Sequence, residues 1–156
     1  MTTRDDFPPI SQLIPHREPM ILLDKLVDWS RGSARCSMVV SEGARFVEDG
    51  KLDSPCLLEH MAQAVAVCLG YEMLLSGRGL RVGMIVSCRT FEALIPTTKV
   101  GETLLVSAEQ VAAILSASTF DCSVDRTGDG TDERIARASL TLYHGDSINE
   151  TGPHLS

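Results

Sequence analysis

A carboxylate and an amide interrupt the most apolar stretch of the chain, CLLEHMAQAVAVCLGY at residues 56–71. In a helix, Glu59 and Gln63 are four residues apart and therefore lie on the same side. Apolar surroundings disfavour an ionised carboxylate and raise its pKa, which would suit Glu59 as a general acid near neutral pH. A structural role is equally compatible with the pattern, because an acidic residue in the first helical turn also interacts favourably with the helix dipole.

Histidines are the other candidates for proton transfer, and the sequence has 4 of them. His60 adjoins Glu59 but points about 100° around the helix, so the two side chains cannot face one substrate equally. His144 and His154 belong to the polar C-terminal end and are poor candidates. His16 precedes a strand-like segment, where it could act as a base or could hydrogen-bond the backbone in a structural role.

The elements that must position these residues follow from hydrophobic periodicity and turn residues. A short apolar turn or helix is predicted at residues 10–14. Residues 20–29 and 34–40 are predicted to form a hairpin with its turn at Gly32. Residues 41–54, rich in Gly, Asp and Glu, are predicted to be a loop.

The long apolar helix is predicted to follow this loop. Pro55 suits its first position, Asp53 or Ser54 its N-cap, and residues 76–77 its end. After the helix the sequence predicts strands at 81–94, 103–114, 116–124 and 134–143. This order predicts an α+β fold in which one antiparallel sheet wraps around one buried helix.

Composition narrows the class of protein. The 156 residues, 44% of them hydrophobic, suit one domain with a proper core. The net charge of −7 argues against nucleic acid as the main partner. We expect a cytoplasmic protein, because no apolar run is long enough to span a membrane and the start MTTRDDFPPI does not resemble a signal peptide. The 5 cysteines lack CxxC spacing and are expected to be reduced thiols, not disulfides or zinc ligands.

Three segments resemble the bacterial 3-hydroxyacyl-[acyl-carrier-protein] dehydratases. PHREPMILLDKLVDW, at residues 15–29, resembles their N-terminal signature, and LLEHMAQA, at 57–64, resembles their helix motif. FEALIPTTKVGETLLV, at 91–106, resembles the segment with their Pro-x-x-x-Gly-Asp turn. The resemblance implies a hotdog fold, placed at residues 1–145, and dimerisation into one continuous sheet. The polar composition of residues 146–156 predicts a flexible tail.

The resemblance also implies roles for individual residues. Glu59 would be the catalytic carboxylate, mostly buried at an acyl tunnel between subunits. A dehydration needs an acid for the C3 hydroxyl, which Glu59 can supply, and a base for the C2 proton. His16 is the candidate base, because the PHR segment of the family lies beside the tunnel. Met61 and Gln63 are expected to pack and to stabilise the helix. The residues expected to contact substrate are Arg45, Phe46, Ser54, Gly83 and Arg89.

The chain departs from the family at the positions where the family has its catalytic motif. The histidine of the family's His-Phe-Pro-Gly motif would fall on Arg45, and the Pro-Gly before the helix is replaced by Asp53-Ser54. Arg45 stays charged and cannot be a base, but it could hold a phosphate of phosphopantetheine or of the carrier protein. These departures match best the dehydratase-like hotdog proteins associated with aryl-polyene biosynthesis, some of which pair with a second dehydratase subunit.

Three functions are therefore open. The first is dehydration of a 3-hydroxyacyl thioester to a 2-enoyl thioester, with the substrate on the phosphopantetheine of an acyl carrier protein and no metal or other cofactor. The second is a non-catalytic or half-site subunit of a heterodimeric dehydratase. The third is a hotdog acyl thioesterase. The motifs favour dehydratases over thioesterases, whereas the missing histidine favours the partner subunit. A homodimer is expected for the isolated chain, since the sheet would otherwise leave an unpaired edge.

Overall fold

The computed structural model of the chain describes residues 6–77, 85–114, 116–128 and 130–143. Its helix α1 spans Leu57–Leu75 and is preceded by a 3₁₀ turn at Ser54–Cys56; another 3₁₀ turn spans Ile10–Gln12. The strands are β1 (Lys25–Ser30), β2 (Ser33–Val39), β3 (Val47–Glu48), β4 (Lys51–Asp53), β5 (Ile85–Ala93), β6 (Thr97–Lys99), β7 (Thr103–Ile114), β8 (Ala117–Thr127) and β9 (Asp132–Tyr143).

Six strands form one antiparallel sheet in the order β1-β2-β7-β8-β9-β5. The helix α1 packs against β2, β7, β8 and β9, the central strands of this sheet. Alternate residues of β7 and β8 point into the core, as the period of a half-buried strand requires. The predicted α+β arrangement, a sheet around one helix, is confirmed.

The helix is buried on nearly every side because the N-terminal segment covers what the sheet leaves open. The carbonyl oxygen of Leu13 approaches α1 at Gly70, where a Cβ atom would lie only 1.8 Å from it. Trp29 donates a hydrogen bond from Nε1 to the carbonyl of Cys68 and packs edge-on against Tyr71. Within the described ranges, no helix is both long and apolar enough to cross a bilayer.

Three of the five cysteines belong to this core. Cys36, Cys68 and Cys122 are buried, and burial raises the pKa of each thiol to about 12. These thiols therefore stay protonated and act as small apolar side chains.

Three predicted elements differ from the structure. The α-helix predicted to have Pro55 at its first position begins at Leu57, because Ser54–Cys56 form a 3₁₀ turn. The strand predicted at residues 20–29 begins only at Lys25, because backbone groups of Met20 and Leu22 hydrogen-bond the side chain of Gln63 instead of a neighbouring strand. The loop predicted at 41–54 contains β3 and β4, which pair with β6 in a small three-stranded sheet. This small sheet connects the start of α1 to the segment before β7.

Candidate active site

Glu59 lies in the first turn of α1 and lines a cavity of about 390 Å³. The cavity is mainly apolar, and the residues around Glu59 are Phe46, Pro55, Cys56, Leu58, Ala62, Cys88 and Leu140. In the single chain the Glu59 side chain is 47% exposed, so its burial at a tunnel between subunits stays a prediction.

His16 faces this carboxylate from the N-terminal segment of the same chain. Its Nε2 atom lies 3.9 Å from Oε2 of Glu59, and its side chain is 30% exposed. Its other ring nitrogen, Nδ1, is buried, and no described residue hydrogen-bonds it. The imidazole therefore presents Nε2 to Glu59 and to solvent.

Arg17 shapes the segment that carries His16. Its Nη1 donates to the carbonyl oxygens of Ile14, Pro15 and His16, at 3.3, 3.2 and 2.8 Å. Three acceptors gathered around one guanidinium hold the backbone in a tight curve. The PHR sequence thus contributes a histidine and the arginine that shapes its backbone.

Gln63 connects the His16 segment to the helix. Its Oε1 accepts a hydrogen bond from the backbone N–H of Leu22 at 2.9 Å, and its Nε2 donates to the carbonyl of Met20 at 2.7 Å. The same Nε2 lies 3.4 Å from Oε2 of Glu59. The predicted polar stripe of Glu59 and Gln63 is confirmed, but the expectation that Gln63 only packs and stabilises the helix missed its contact with the N-terminal segment.

Arg45 and Phe46 lie at the site from the loop before β3. Phe46 has a left-handed backbone with φ of 73°, unusual for a residue with a bulky side chain, and its ring lines the Glu59 cavity. The guanidinium carbon of Arg45 lies 5.0 Å from the centroid of that ring. Phe46 thus forms an aromatic wall of the cavity, and Arg45 places a positive charge against the ring of Phe46.

Two other residues expected to contact substrate, Ser54 and Arg89, do not line the Glu59 cavity. Ser54 is fully buried, its hydroxyl donates to the carbonyl of Ile95 at 2.5 Å, and its N–H bonds the carbonyl of Pro96. The expectation that Ser54 contacts substrate is therefore wrong. Arg89 lies on exposed β5 where its pairing with β9 is irregular, and its neighbour Cys88 lines the cavity instead. Gly83, like His144 and His154, lies outside the described residues.

His60 takes no part in the Glu59 cavity. Its side chain is 2% exposed, and Nδ1 lies 3.0 Å from the carbonyl of Cys56, one helical turn earlier. Burial lowers its pKa from the ordinary value of 6.5. The prediction that His60 faces away from Glu59 is confirmed.

The arrangement places an imidazole beside a carboxyl group that lines an apolar cavity. Two titratable groups 3.9 Å apart can exchange a proton directly after a small rotation or through one water molecule. Within the described ranges, no three His, Cys, Asp or Glu side chains cluster as metal ligands would. The chemistry that these side chains can perform is therefore proton transfer on a substrate with an apolar part.

Comparison with solved structures identifies the fold. The chain matches the dehydratase heterocomplex ApeI:P from Xenorhabdus doucetiae with a TM-score of 0.79 and 20% identity, covering 88% of this chain and 91% of that one. The PaaI protein of E. coli, from a phenylacetic acid degradation operon, matches with a TM-score of 0.59 and 16% identity, covering 77% and 82%. These likenesses confirm the predicted hotdog fold.

Sequence comparison identifies the family. The 3-hydroxyacyl-[acyl-carrier-protein] dehydratase FabZ of Staphylococcus epidermidis is 27% identical over 115 residues, 70% of this chain and 77% of that protein. FabZ of Staphylococcus aureus is 28% identical over 116 residues, with 70% and 76% covered. A family model described as ApeP-like, ApeP dehydratase, matches residues 8–152. The chain belongs to the ApeP-like dehydratase family.

Proposed function

We propose that this chain removes water from a 3-hydroxyacyl thioester bound to an acyl carrier protein, with Glu59 as the acid and His16 as the base. The observation that carries the proposal is the 3.9 Å separation of the two side chains, together with the apolar cavity that Glu59 lines. Membership of the ApeP-like family and similarity to FabZ proteins support the reaction class.

In the proposed reaction, Nε2 of His16 accepts the proton from C2 of the substrate. The electrons left on C2 form the double bond to C3 as the C3–O bond breaks. Protonated Glu59 gives its proton to the departing hydroxyl, which leaves as water. The products are the 2-enoyl thioester, an imidazolium and a carboxylate.

The acid and the base are then restored by a single proton transfer. The proton that His16 must lose is the one that Glu59 must gain, and it moves from Nε2 to Oε2. The separation of 3.9 Å is longer than a hydrogen bond, so a bridging water or a small rotation completes the transfer. A bound acyl chain would exclude bulk water from Glu59 and from the departing hydroxyl.

Substrate binding is proposed to involve both the apolar wall and the positive rim. Phe46 and Leu140 would contact the acyl chain, because both line the cavity beside Glu59. Arg45 would bind a phosphate of the phosphopantetheine arm. Its guanidinium is exposed, stays charged and lies over the ring of Phe46, next to the cavity that Phe46 lines. Arg89, exposed on β5, would reach the same negatively charged arm.

A second candidate function is a half-site subunit of a heterodimeric dehydratase. Arg45 occupies the position expected for the family's histidine, and the matched Xenorhabdus structure is a heterocomplex. In that arrangement Glu59 would act with a histidine of the other subunit.

A homodimer is proposed for the isolated chain. Strand β5 lies at the edge of the six-stranded sheet, and this edge would pair with a second copy of the chain. A monomeric mass in light scattering at micromolar concentration would contradict the homodimer.

The proposed setting is the cytoplasm, the compartment that suits the free cysteines of this chain. In the cytoplasm the acyl carrier protein would bring its bound thioester to this chain.

Mass detection of the carrier-bound acyl group tests both functions. The purified chain is incubated with a 3-hydroxyacyl carrier protein, alone and with a second dehydratase subunit, using wild type, Glu59→Gln and His16→Asn. Loss of water by the wild type alone, abolished by both substitutions, supports the pair within one chain. Loss of water only with the second subunit, and still with His16→Asn, supports the half-site. Release of the acyl group, or no reaction in either arrangement, contradicts both proposals.

A further inference from the structure

The six-stranded sheet packs one face against α1, and its opposite face, named here the outer face, carries a groove of about 600 Å³. In β7 and β8 the residues that line this groove alternate with buried residues such as Val106 and Val124. No described residue lines both this groove and the Glu59 cavity. The groove is therefore separate from the site proposed for dehydration.

Strand register places one set of groove residues in a row across four strands, named here the basic row. Arg35 in β2 is paired with Ser107 in β7. Ser107 is paired with Ser123 in β8, and Ser123 is paired with Arg137 in β9. All four residues line the groove. The basic row thus has two hydroxyls between two guanidinium groups.

A second row, named here the acidic row, lies parallel to the first, two residues further along each strand. Ser33 in β2 is paired with Glu109 in β7. Glu109 is paired with Asp121 in β8, and Asp121 is paired with Ser139 in β9. These four residues also line the groove, and a spacing of two residues separates the rows by about 7 Å. The acidic row thus has two carboxylates between two hydroxyls.

The charges of the two rows are not balanced within one chain. Glu109 and Asp121 lie directly opposite each other on adjacent strands, where like charges destabilise a sheet. Within the described ranges, no residue forms an ion pair with Glu109, Asp121 or Arg35. Arg137 pairs with Glu92 at 2.7 Å, yet its side chain is 58% exposed. The outer face therefore suits a partner that brings positive groups to one row and negative groups to the other.

The presence of both signs of charge selects among possible partners. An acidic carrier protein or a nucleic acid would be repelled by the acidic row, and a basic protein would be repelled by the arginines. A second copy of the outer face carries both rows. Charge complementarity therefore favours a second copy of this chain over partners of a single sign.

One symmetry operation brings the two kinds of row together. A two-fold axis parallel to the rows and midway between them places the basic row of one chain over the acidic row of the other. Each strand then lies over the same strand of the second copy, and every charged residue faces a serine. Ser107, for example, faces Glu109 of the second copy and can donate a charge-assisted hydrogen bond to it. An axis parallel to the strands would instead place Arg35 against Arg137.

We propose that the outer face binds a second copy of this chain, back to back, with the basic row of each copy over the acidic row of the other. This contact is distinct from the edge pairing proposed for β5, and it does not depend on the dehydration proposed for Glu59 and His16. The charges are accessible to solvent, so salt weakens their attraction, with a Debye length of about 10 Å at 0.1 M and about 3 Å at 1 M. Association through the outer face should therefore decrease as the salt concentration rises.

Charge reversal in the full chain tests this proposal. One variant, Arg35→Glu with Arg137→Glu, makes both rows acidic, and another, Glu109→Lys with Asp121→Lys, makes both rows basic. Sedimentation equilibrium at chain concentrations up to about 0.1 mM measures the mass of each. Each variant alone should have about half the wild-type mass, whether or not β5 forms a dimer of its own, because the outer faces repel. An equimolar mixture of the two variants should regain the wild-type mass.

Lys25→Glu with Lys51→Glu is the control, because it changes the net charge as much as the first variant at two exposed lysines outside the groove. This control should keep the wild-type mass. Equal masses of the wild type and the reversed variants, or an equal loss in the control, would overturn the proposal. A doubled mass that appears only with a second dehydratase subunit would assign the outer face to that protein and also overturn it. If circular dichroism shows that a reversed variant is unfolded, the wild type decides, since an equal mass at about 0.1 M and about 1 M NaCl contradicts the proposed contact.

Discussion

Nε2 of His16 lies 3.9 Å from Oε2 of Glu59 within a single chain. The side chains come from segments 43 residues apart, and Gln63 hydrogen-bonds the backbone of one segment while lying on the helix of the other. The pair is thus assembled by the fold of one chain. What a second chain or a bound substrate would add is exclusion of solvent from a carboxylate that is half exposed.

Replacing Glu59 by Gln should lower dehydration by about 10²–10⁴-fold, because the amide keeps the shape but cannot donate an acidic proton. The measurement is the rate of 2-enoyl product formation, with the second subunit present if the chain requires it. Glu72→Gln is the matched control: this glutamate lies on the same helix but pairs with Arg31 at 3.0 Å on the surface. It should react at nearly the wild-type rate, and equal losses in the two variants would contradict the role of Glu59.

Replacing Gln63 by Met should destabilise the fold by at least about 2 kcal/mol, because Leu22 N–H and Met20 C=O lose their partner. Urea unfolding measures this loss. Gln110→Met provides the comparison, since the hydrogen bond of the Gln110 side chain within the described residues is a long one, 3.5 Å to Ser118 Oγ. Its loss should be smaller. A Gln63→Met chain as stable as wild type would show that the N-terminal segment is held by other contacts.

The pH dependence of stability should reflect His60. Its folded pKa is lowered by burial, so below the ordinary value of 6.5 the unfolded chain binds a proton more readily than the folded chain. The free energy of unfolding should therefore decrease as pH falls through about 6.5, and the full contribution of the neutral ring is present above that pH. In His60→Asn this slope should be smaller. Identical slopes in chemical unfolding series of the two proteins would contradict the assignment.

Gly70→Ala should destabilise the chain although alanine favours helices by about 1 kcal/mol. The added Cβ would lie 1.8 Å from the carbonyl oxygen of Leu13, so the N-terminal segment must shift, at a net cost of about 1–3 kcal/mol. In Gly128→Ala the nearest atom, the carbonyl oxygen of Thr131, is 3.4 Å away, and stability should change little. Thermal unfolding of both variants checks the difference, and equal midpoints would contradict the close approach at Gly70.

The local sequence pattern was sufficient to predict the features that depend on a single helix or strand. Apolar residues around the whole of α1 predicted a buried helix, and the spacing of Glu59 and Gln63 predicted their shared stripe. The long strands β7 and β9 were predicted nearly within their bounds, because alternation over many residues is a strong signal. Local pattern also predicted that His60 turns away from Glu59, since helical geometry alone separates neighbours.

Contacts between distant segments were decided only by the tertiary structure. Ser54 hydrogen-bonds the carbonyl of Ile95, and β4 within residues 41–54 pairs with β6. Both contacts are made with a segment more than 40 residues later in the chain. The exposure of Glu59 depends on what covers the helix terminus, which the composition of the helix does not specify. Likewise, Gln63 donates a hydrogen bond to Met20 and accepts one from Leu22. Neither of the two segments has a sequence pattern that predicts this contact. Such contacts carry no local periodicity, because they are selected by the packing of the whole chain and not by the conformational preference of either segment.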